Sequence, residues 1–356
     1  MKIVYVEMGT KGHSIVYLKN LIKGHEEESV LLVSKEIDDL KCQQVVVKKT
    51  ESKNRHFLNY YLWLLSISNL VDSISPDIVH FLDGDLFYRF FGLGLFRFKK
   101  YKVVLTLHWV RSGFVCKHSL RHIAKSVTCV VVHSEFLKCN LEQKGILNSR
   151  QIEYPYFNTI NVEKDEACKY WGLNPDIKTL ASIGSTRFDK GIDILISALA
   201  KIQKPFQLLV AGQVNAFTEA ELLSMVEPIK DKVYLNIHYL SEKELAYAFA
   251  ASDYVVLPYR KTFNGASGPL TEGVAFEKCI IGSDHQNLGH TIKTNHLGYT
   301  FICENSDDLA RVIDTALEYN FTKDNAYYAF KEKLNPVCFR NNYRRLYWEL
   351  LQGNGR

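Results

Sequence analysis

The chain has 356 residues, enough for two domains of ordinary size that each bury a core. With 47% hydrophobic and 23% charged residues it is globular rather than disordered, and its eight cysteines show no CxxC pair or ligand-spaced histidine, which argues against a zinc site or disulfide framework. The net charge of +5 is uneven: residues 1–150 hold 22 Lys and Arg against 14 Asp and Glu, and the remainder 22 against 25. A basic first half is compatible with an anionic partner, but no nucleic-acid-binding motif accompanies it.

Met1 leads directly into an apolar strand, Lys2 to Val6, so no secretory signal peptide is expected and a reducing cytoplasm is the expected setting. Further strands are predicted at 29–33, 78–82, 102–107 and 127–133, with helical patterns between them. That alternation predicts a parallel sheet with helices on both faces. Leu58 to Ile74 is the most apolar long stretch; it is short for a bilayer span, contains Asn59, Ser66, Ser68, Asn69 and Asp72, and reads as a buried amphipathic helix.

Ligands bind such sheets beyond the carboxyl ends of the strands. The candidates there are Gly9, Gly12 and His13 after the first strand, His108 after 102–107, and His133-Ser134-Glu135 after 127–133. Asp83-Gly84-Asp85 has the form of a metal-binding DxD but is read as a turn. In FYRFFGLGLFRFKKYK, residues 87–102, the aromatics Phe87, Tyr88, Phe90, Phe91, Phe96 and Phe98 mix with Arg89, Arg97, Lys99, Lys100 and Lys102. Such a segment suits either an anionic membrane surface or a core helix with a solvated basic end.

A linker is expected near Tyr154 to Asn158. Beyond it, Thr179 to Ile183 is strand-like and Gly184-Ser185-Thr186 a turn; Arg187 and Lys190 then precede a helix with Ile192, Leu195, Ile196, Leu199 and Ile202 on one face. An arginine fork and a compact ammonium at a helix start suit a pyrophosphate. Tyr254 to Leu257 is a second strand, ended by Pro258. Asn264-Gly265-Ala266-Ser267-Gly268 then forms a small-residue loop before Pro269 opens a helix carrying Glu272, and Cys279 to Ile281 follows as a strand. Such a loop aims backbone N–H groups and a positive helix end at an anion, beside a carboxylate able to accept from sugar hydroxyls.

GSTRFDKGIDILISAL, LLVAGQ, YLSEKELAYAFAASDYVVLPY and SGPLTEGVAFEKCIIGSD, in this order, resemble family-4 glycosyltransferases of the GT-B fold. The similarity runs from about Leu180 to Phe301, and more weakly over Met1 to Asn158. It implies an α/β chain of two facing Rossmann-like domains: 1–158 on the acceptor side, 159–335 binding a nucleotide-sugar, and a helix at 336–356 crossing back to the first domain. It also implies transfer with retention and no bound metal or other cofactor, the donor being a UDP- or GDP-sugar. By the same resemblance Arg187 and Lys190 grip the donor diphosphate, Glu272 holds the ribose and His108 lies beside the donor sugar. Gly12, Gly184, Asn264, Gly265, Ala266, Ser267 and Gly268 line the donor, while Gly9, His13 and Glu135 face the acceptor.

The expected product is a polysaccharide or lipid-linked glycan, made in the cytoplasm or at the inner face of the membrane. Two departures stand out. Asn264 occupies the place of the first glutamate of the family's Glu-x7-Glu motif, and His290 stands where glutamate is common. They leave open a non-catalytic nucleotide-sugar-binding subunit that supports a partner enzyme. A nucleotide-sugar 2-epimerase is a third reading.

Overall fold

The computed structural model of the chain describes residues 1–9, 12–47, 56–111 and 113–353. These divide into two units, one of residues 1–153 with 336–356 and the other of residues 154–335.

The first unit is built on seven parallel strands: β1 (Ile3–Glu7), β2 (Ser29–Val33), β3 (Gln43–Val46), β4 (Ile78–Phe81), β5 (Lys102–Thr106), β6 (Cys129–Val132) and β7 (Ser149–Gln151). Their order is β3-β2-β1-β4-β5-β6-β7, with Ile3 level with Ser29 on one side and Ile78 on the other. The connections carry α1 (His13–Ile22), α2 (His56–Ile74), α3 (Phe114–Ser126) and α4 (Glu135–Gln143). All five residues of β1 are buried, as a strand covered on both faces requires. The edge strand β3 is partly exposed, so its apolar signal is diluted.

The second unit has six parallel strands: β8 (Thr179–Ile183), β9 (Gln207–Ala211), β10 (Val233–Asn236), β11 (Tyr254–Leu257), β12 (Cys279–Ser283) and β13 (Gly298–Phe301). Their order is β10-β9-β8-β11-β12-β13. The helices of this unit are α5 (Lys164–Trp171), α6 (Ile192–Leu199), α7 (Glu219–Val226), α8 (Glu242–Ala251), α9 (Gly268–Ala275), α10 (Gln286–Thr294), α11 (Ser306–Glu318) and α12 (Asn325–Lys333). Each sheet winds outward in two directions, which creates a switch point between β1 and β4 in one and between β8 and β11 in the other.

The last helix, α13 (Pro336–Leu351), belongs to the first unit. Its buried face, Phe339, Tyr343, Leu346, Tyr347 and Leu350, is the apolar stripe visible in the sequence. Tyr17 of α1 and Tyr343 share a hydrogen bond of 2.7 Å between their hydroxyls.

Three sequence expectations are adjusted. The boundary between units falls after Glu153 rather than 158, because the Tyr156 N–H donates to Leu334 O and those of Phe157 and Asn158 to Glu272. Asp83-Gly84-Asp85 is not a simple turn: Gly84–Phe90 is a 3-10 helix, stabilised where the Asp85 carboxylate accepts from the N–H groups of His108 and Trp109. Residues 87–102 form no continuous amphipathic helix; they close Gly84–Phe90, form a second 3-10 helix at Leu95–Phe98 and enter β5. The left-handed backbone at Phe91, Gly92 and Gly94 breaks the run between them.

Among the described residues no helix is long and apolar enough to cross a membrane. Within α2, Trp63, Leu64, Ile67 and Val71 are buried, while Phe57, Leu58 and Leu62 are exposed. The helix is therefore amphipathic but not fully buried.

Candidate functional site

In the second unit, the loops after β8 and β11 meet at the switch point. Gly184 ends β8 at φ +114°, and a side chain on it would lie 3.7 Å from the ring of Pro269, at the start of α9. Arg187 to Lys190 follows, with 188–190 in a 3-10 turn, and Gly191 (φ +66°) leads into α6. A Cβ at 191 would stand 2.0 Å from the carbonyl oxygen of Pro258, so only glycine lets this loop press against the end of β11.

Two cations project from the loop with different surroundings. Arg187 donates from Nε (2.9 Å) and Nη2 (2.5 Å) to the two carboxylate oxygens of Asp189. The Lys190 ammonium lies over two aromatic rings, 3.7 Å from the Tyr259 centroid and 4.1 Å from that of Phe263. Burial, followed by the neighbouring Arg187 charge, holds the Lys190 ammonium well below the usual lysine range.

Across from them, Ser267 caps α9 by accepting from the Leu270 N–H at 3.3 Å. Pro269 stands in the first turn, and Asn287 of α10 steadies the loop by donating to Gly265 O. Gly265 and Ser267 are buried, while Asn264, Ala266 and Gly268 are partly exposed. Glu272 lies one turn further along α9. Its Oε1 accepts from the N–H of Phe157 at 2.7 Å and of Asn158 at 3.3 Å. Burial pushes its carboxyl up to about 7, against the lowering effect of those N–H groups. Sequence and structure thus agree on the assembly of Gly184, Arg187, Lys190, Ser267 and Gly268, and the structure adds that Glu272 also ties down 157–158.

In the first unit, polar groups collect at the ends of β1, β4 and β5. Glu7 closes β1, is 3% exposed, and accepts from the Gly9 N–H at 2.6 Å. Burial pushes its carboxyl up to about 7. Gly12 precedes α1 and His13 begins it; the His13 side chain, like residues 10 and 11, lies outside the described residues. His108 Nε2 is 3.0 Å from Leu82 O, and a carbonyl only accepts, so Nε2 is the donor. Its ring stands edge-on to Tyr17 and 5.1 Å from that of His133.

His133 is fully enclosed and donates from Nδ1 to Ile152 O at 2.9 Å; burial, then the His108 charge, bring it down to about 3. It remains a neutral packing residue at physiological pH. Glu135 is exposed on the first turn of α4. Among the described residues no group of His, Cys, Asp or Glu is placed to hold a metal ion. Sequence reasoning missed Glu7, Tyr17, Tyr259 and Phe263. Glu7, Tyr17 and Tyr259 sit in or beside apolar runs and Phe263 in a polar loop, and each announces itself only through its neighbours in space.

The comparisons with known proteins follow the same division. Residues 163–333 match the family described as glycosyl transferases group 1. Curated protein sequences give no match. Solved structures do: sucrose-phosphate synthase from Thermosynechococcus elongatus is 14% identical, with 99% of each chain covered and a TM-score of 0.78. Anabaena HepE in complex with UDP is 14% identical over 97% of this chain and 99% of its own, at 0.79. The lipopolysaccharide outer core galactosyltransferase WaaB is 15% identical over 97% and 98%, at 0.74. At such identities the likeness establishes the fold, and the family match extends over residues 163–333 alone. Residues 163–333 thus resemble the glycosyl transferases group 1 family, and the chain as a whole has the GT-B fold.

Proposed function

We propose that the protein is a retaining glycosyltransferase that moves a sugar from a UDP- or GDP-sugar to a hydroxyl of a glycan or lipid-linked glycan. The observation that carries this reading is the convergence of Gly184, Arg187, Lys190 and the capped start of α9 at one switch point. The likeness to HepE, solved in complex with UDP and with UDP-glucose, supports a uridine donor as the first to try.

In the reaction the bond from the anomeric carbon to the diphosphate oxygen breaks, a bond to the acceptor oxygen forms, and the nucleoside diphosphate leaves, taking up the proton that the acceptor hydroxyl loses. Arg187, Lys190 and the N–H groups of 265–268 stabilise the charge that develops on the leaving group, which is why no metal or other cofactor is required in this reading. Glu272 holds the ribose. Asn264 and His108 position the sugar, while Gly9, His13 and Glu135 serve the acceptor.

The protein works in the cytoplasm, attached reversibly to the inner face of a membrane through 87–102. There Arg89, Lys99 and Lys100 are exposed beside Phe91, Leu93 and Phe96, whereas Phe87, Tyr88 and Phe98 belong to the core. A sugar on a lipid carrier would then be delivered at the surface where the enzyme sits.

The deciding experiment is thermal stability against UDP, GDP, ADP and CMP and their sugars, each with EDTA. A ligand at about a hundred times its dissociation constant adds about 2.7 kcal/mol, roughly 5–10 °C for a unit of this size. A shift with one base in chelator is the expected result; no shift with any nucleotide overturns the reading. Slow donor hydrolysis without acceptor then separates an enzyme from the binding subunit that Asn264 would suit.

A further inference from the structure

Lys190 and the start of α9 are linked by a single side chain. Tyr259, two residues past β11, is 3% exposed, and its ring face lies against the Lys190 ammonium. Its hydroxyl, at the other end of the ring, is 3.1 Å from Ser267 Oγ, the atom that caps α9. Phe263, also buried, packs on Tyr259 with ring centroids 4.5 Å apart and covers the ammonium from a second side. Among the described residues Lys190 makes no ion pair, and the carboxylate of Asp189 on the same loop is engaged by Arg187. A ring face attracts a cation but gives its N–H groups no hydrogen-bond acceptor. The caged ammonium is therefore fixed in place while its donors await an anion.

We propose that Tyr259 is a positioning residue for the donor diphosphate: its ring holds the Lys190 ammonium, its hydroxyl holds the start of α9, and Phe263 completes the cage. This deepens the donor-site reading and rests on it. The spacing between cation and helix end is thereby set before any ligand arrives. Arg187 and Asp189 on the same loop and Tyr259 beyond β11 are the titratable groups that act on Lys190. An arriving diphosphate favours the charged lysine. Binding then takes up a proton, and affinity falls as pH rises through the titration of the unliganded site.

Two readouts on the full chain test this. Lysines methylated with carbon-13 are followed by NMR from about pH 7 to 11, with Lys190→Arg assigning the signal. The wild-type Lys190 signal should titrate below the other lysines. Tyr259→Leu keeps the site apolar but removes the ring face that favours the charged form, so it should move the signal to still lower pH, and Tyr259→Phe should leave it unchanged because the ring remains. Calorimetry with UDP near pH 8, where the terminal phosphate is fully ionised, in buffers of unlike ionisation heat gives the protons taken up. Wild type and Tyr259→Phe should take up a fraction of a proton, Tyr259→Leu a larger fraction, with affinity about tenfold weaker.

Phe263→Leu provides the same comparison if Tyr259→Leu melts before binding can be read. A Tyr259→Leu protein with wild-type lysine titration and UDP affinity overturns the proposal. A wild-type protein that shows the lysine shift yet binds no nucleotide overturns the donor-site reading and leaves the cage established.

Discussion

Glu272 places two demands on one carboxylate. It accepts from the backbone of Phe157 and Asn158, and it is the group assigned to the ribose. Burial raises it to about 7 from 4.5, so the folded protein holds a proton that the unfolded chain has lost between those values. The stability tied to it is complete below about pH 4.5 and fades as pH rises through about 7, a difference of about 3 kcal/mol. Glu272→Gln should therefore melt higher than wild type at pH 8, match it near pH 4.5, and show a smaller nucleotide-induced shift. Equal melting at pH 8 would show that the carboxylate is not strained by its surroundings. Arg187→Ala is the sharper test of chemistry: transfer should drop at least tenfold, toward the roughly 10²–10³ typical for loss of one stabilising donor, with an unchanged melting curve. Unchanged transfer would remove Arg187 from the mechanism.

At the level of elements, α13 is tied to its sheet by a buried hydrogen-bonded chain. Tyr347 bonds His80 Nδ1 at 2.7 Å, His80 Nε2 bonds Thr106 at 2.8 Å, and Thr106 meets Tyr343, which bonds Tyr17. Burial holds His80 down at about 3, so the chain is neutral throughout the physiological range. Tyr347→Phe leaves a buried imidazole nitrogen without that partner and should cost about 1–3 kcal/mol in chemical denaturation. A loss well below that would mean water or a repacked neighbour replaces the hydroxyl.

The central strands β1, β2, β8 and β11 were legible because a strand covered on both faces is a short unbroken apolar run. The edge strand β3, with Gln43 and Gln44, and the three-residue β7 gave no such run. The loop before α9 was legible because Gly, Ser and Pro punctuate it at fixed positions. The aromatic cage and the role of Asp85 were not. A tyrosine at a strand end reads as core, and a carboxylate that holds backbone N–H groups far along the chain has no local signature.

Over the whole molecule, charge is distributed in long blocks. No Asp or Glu occurs from Leu86 to Ser134, a stretch with nine Lys and Arg. Each basic residue near anionic lipid contributes on the order of 1 kcal/mol, so a few exposed ones give reversible binding. The protein should co-sediment with vesicles containing phosphatidylglycerol, not with phosphatidylcholine alone, and should be released by high salt. Phe91→Ser with Phe96→Ser should weaken binding while preserving its salt dependence. Equal binding to neutral and anionic vesicles would refute an electrostatic attachment.

The contact between Gly191 and Pro258 has a consequence for how this sequence can vary. One hydrogen atom is all that fits between that α-carbon and the opposing carbonyl oxygen. In a saturation library scored for transfer, codon 191 should accept no replacement, not even alanine. Codon 190 should rank its survivors by charge, with arginine first. Two adjacent codons would then report two kinds of constraint, one on space and one on electrostatics.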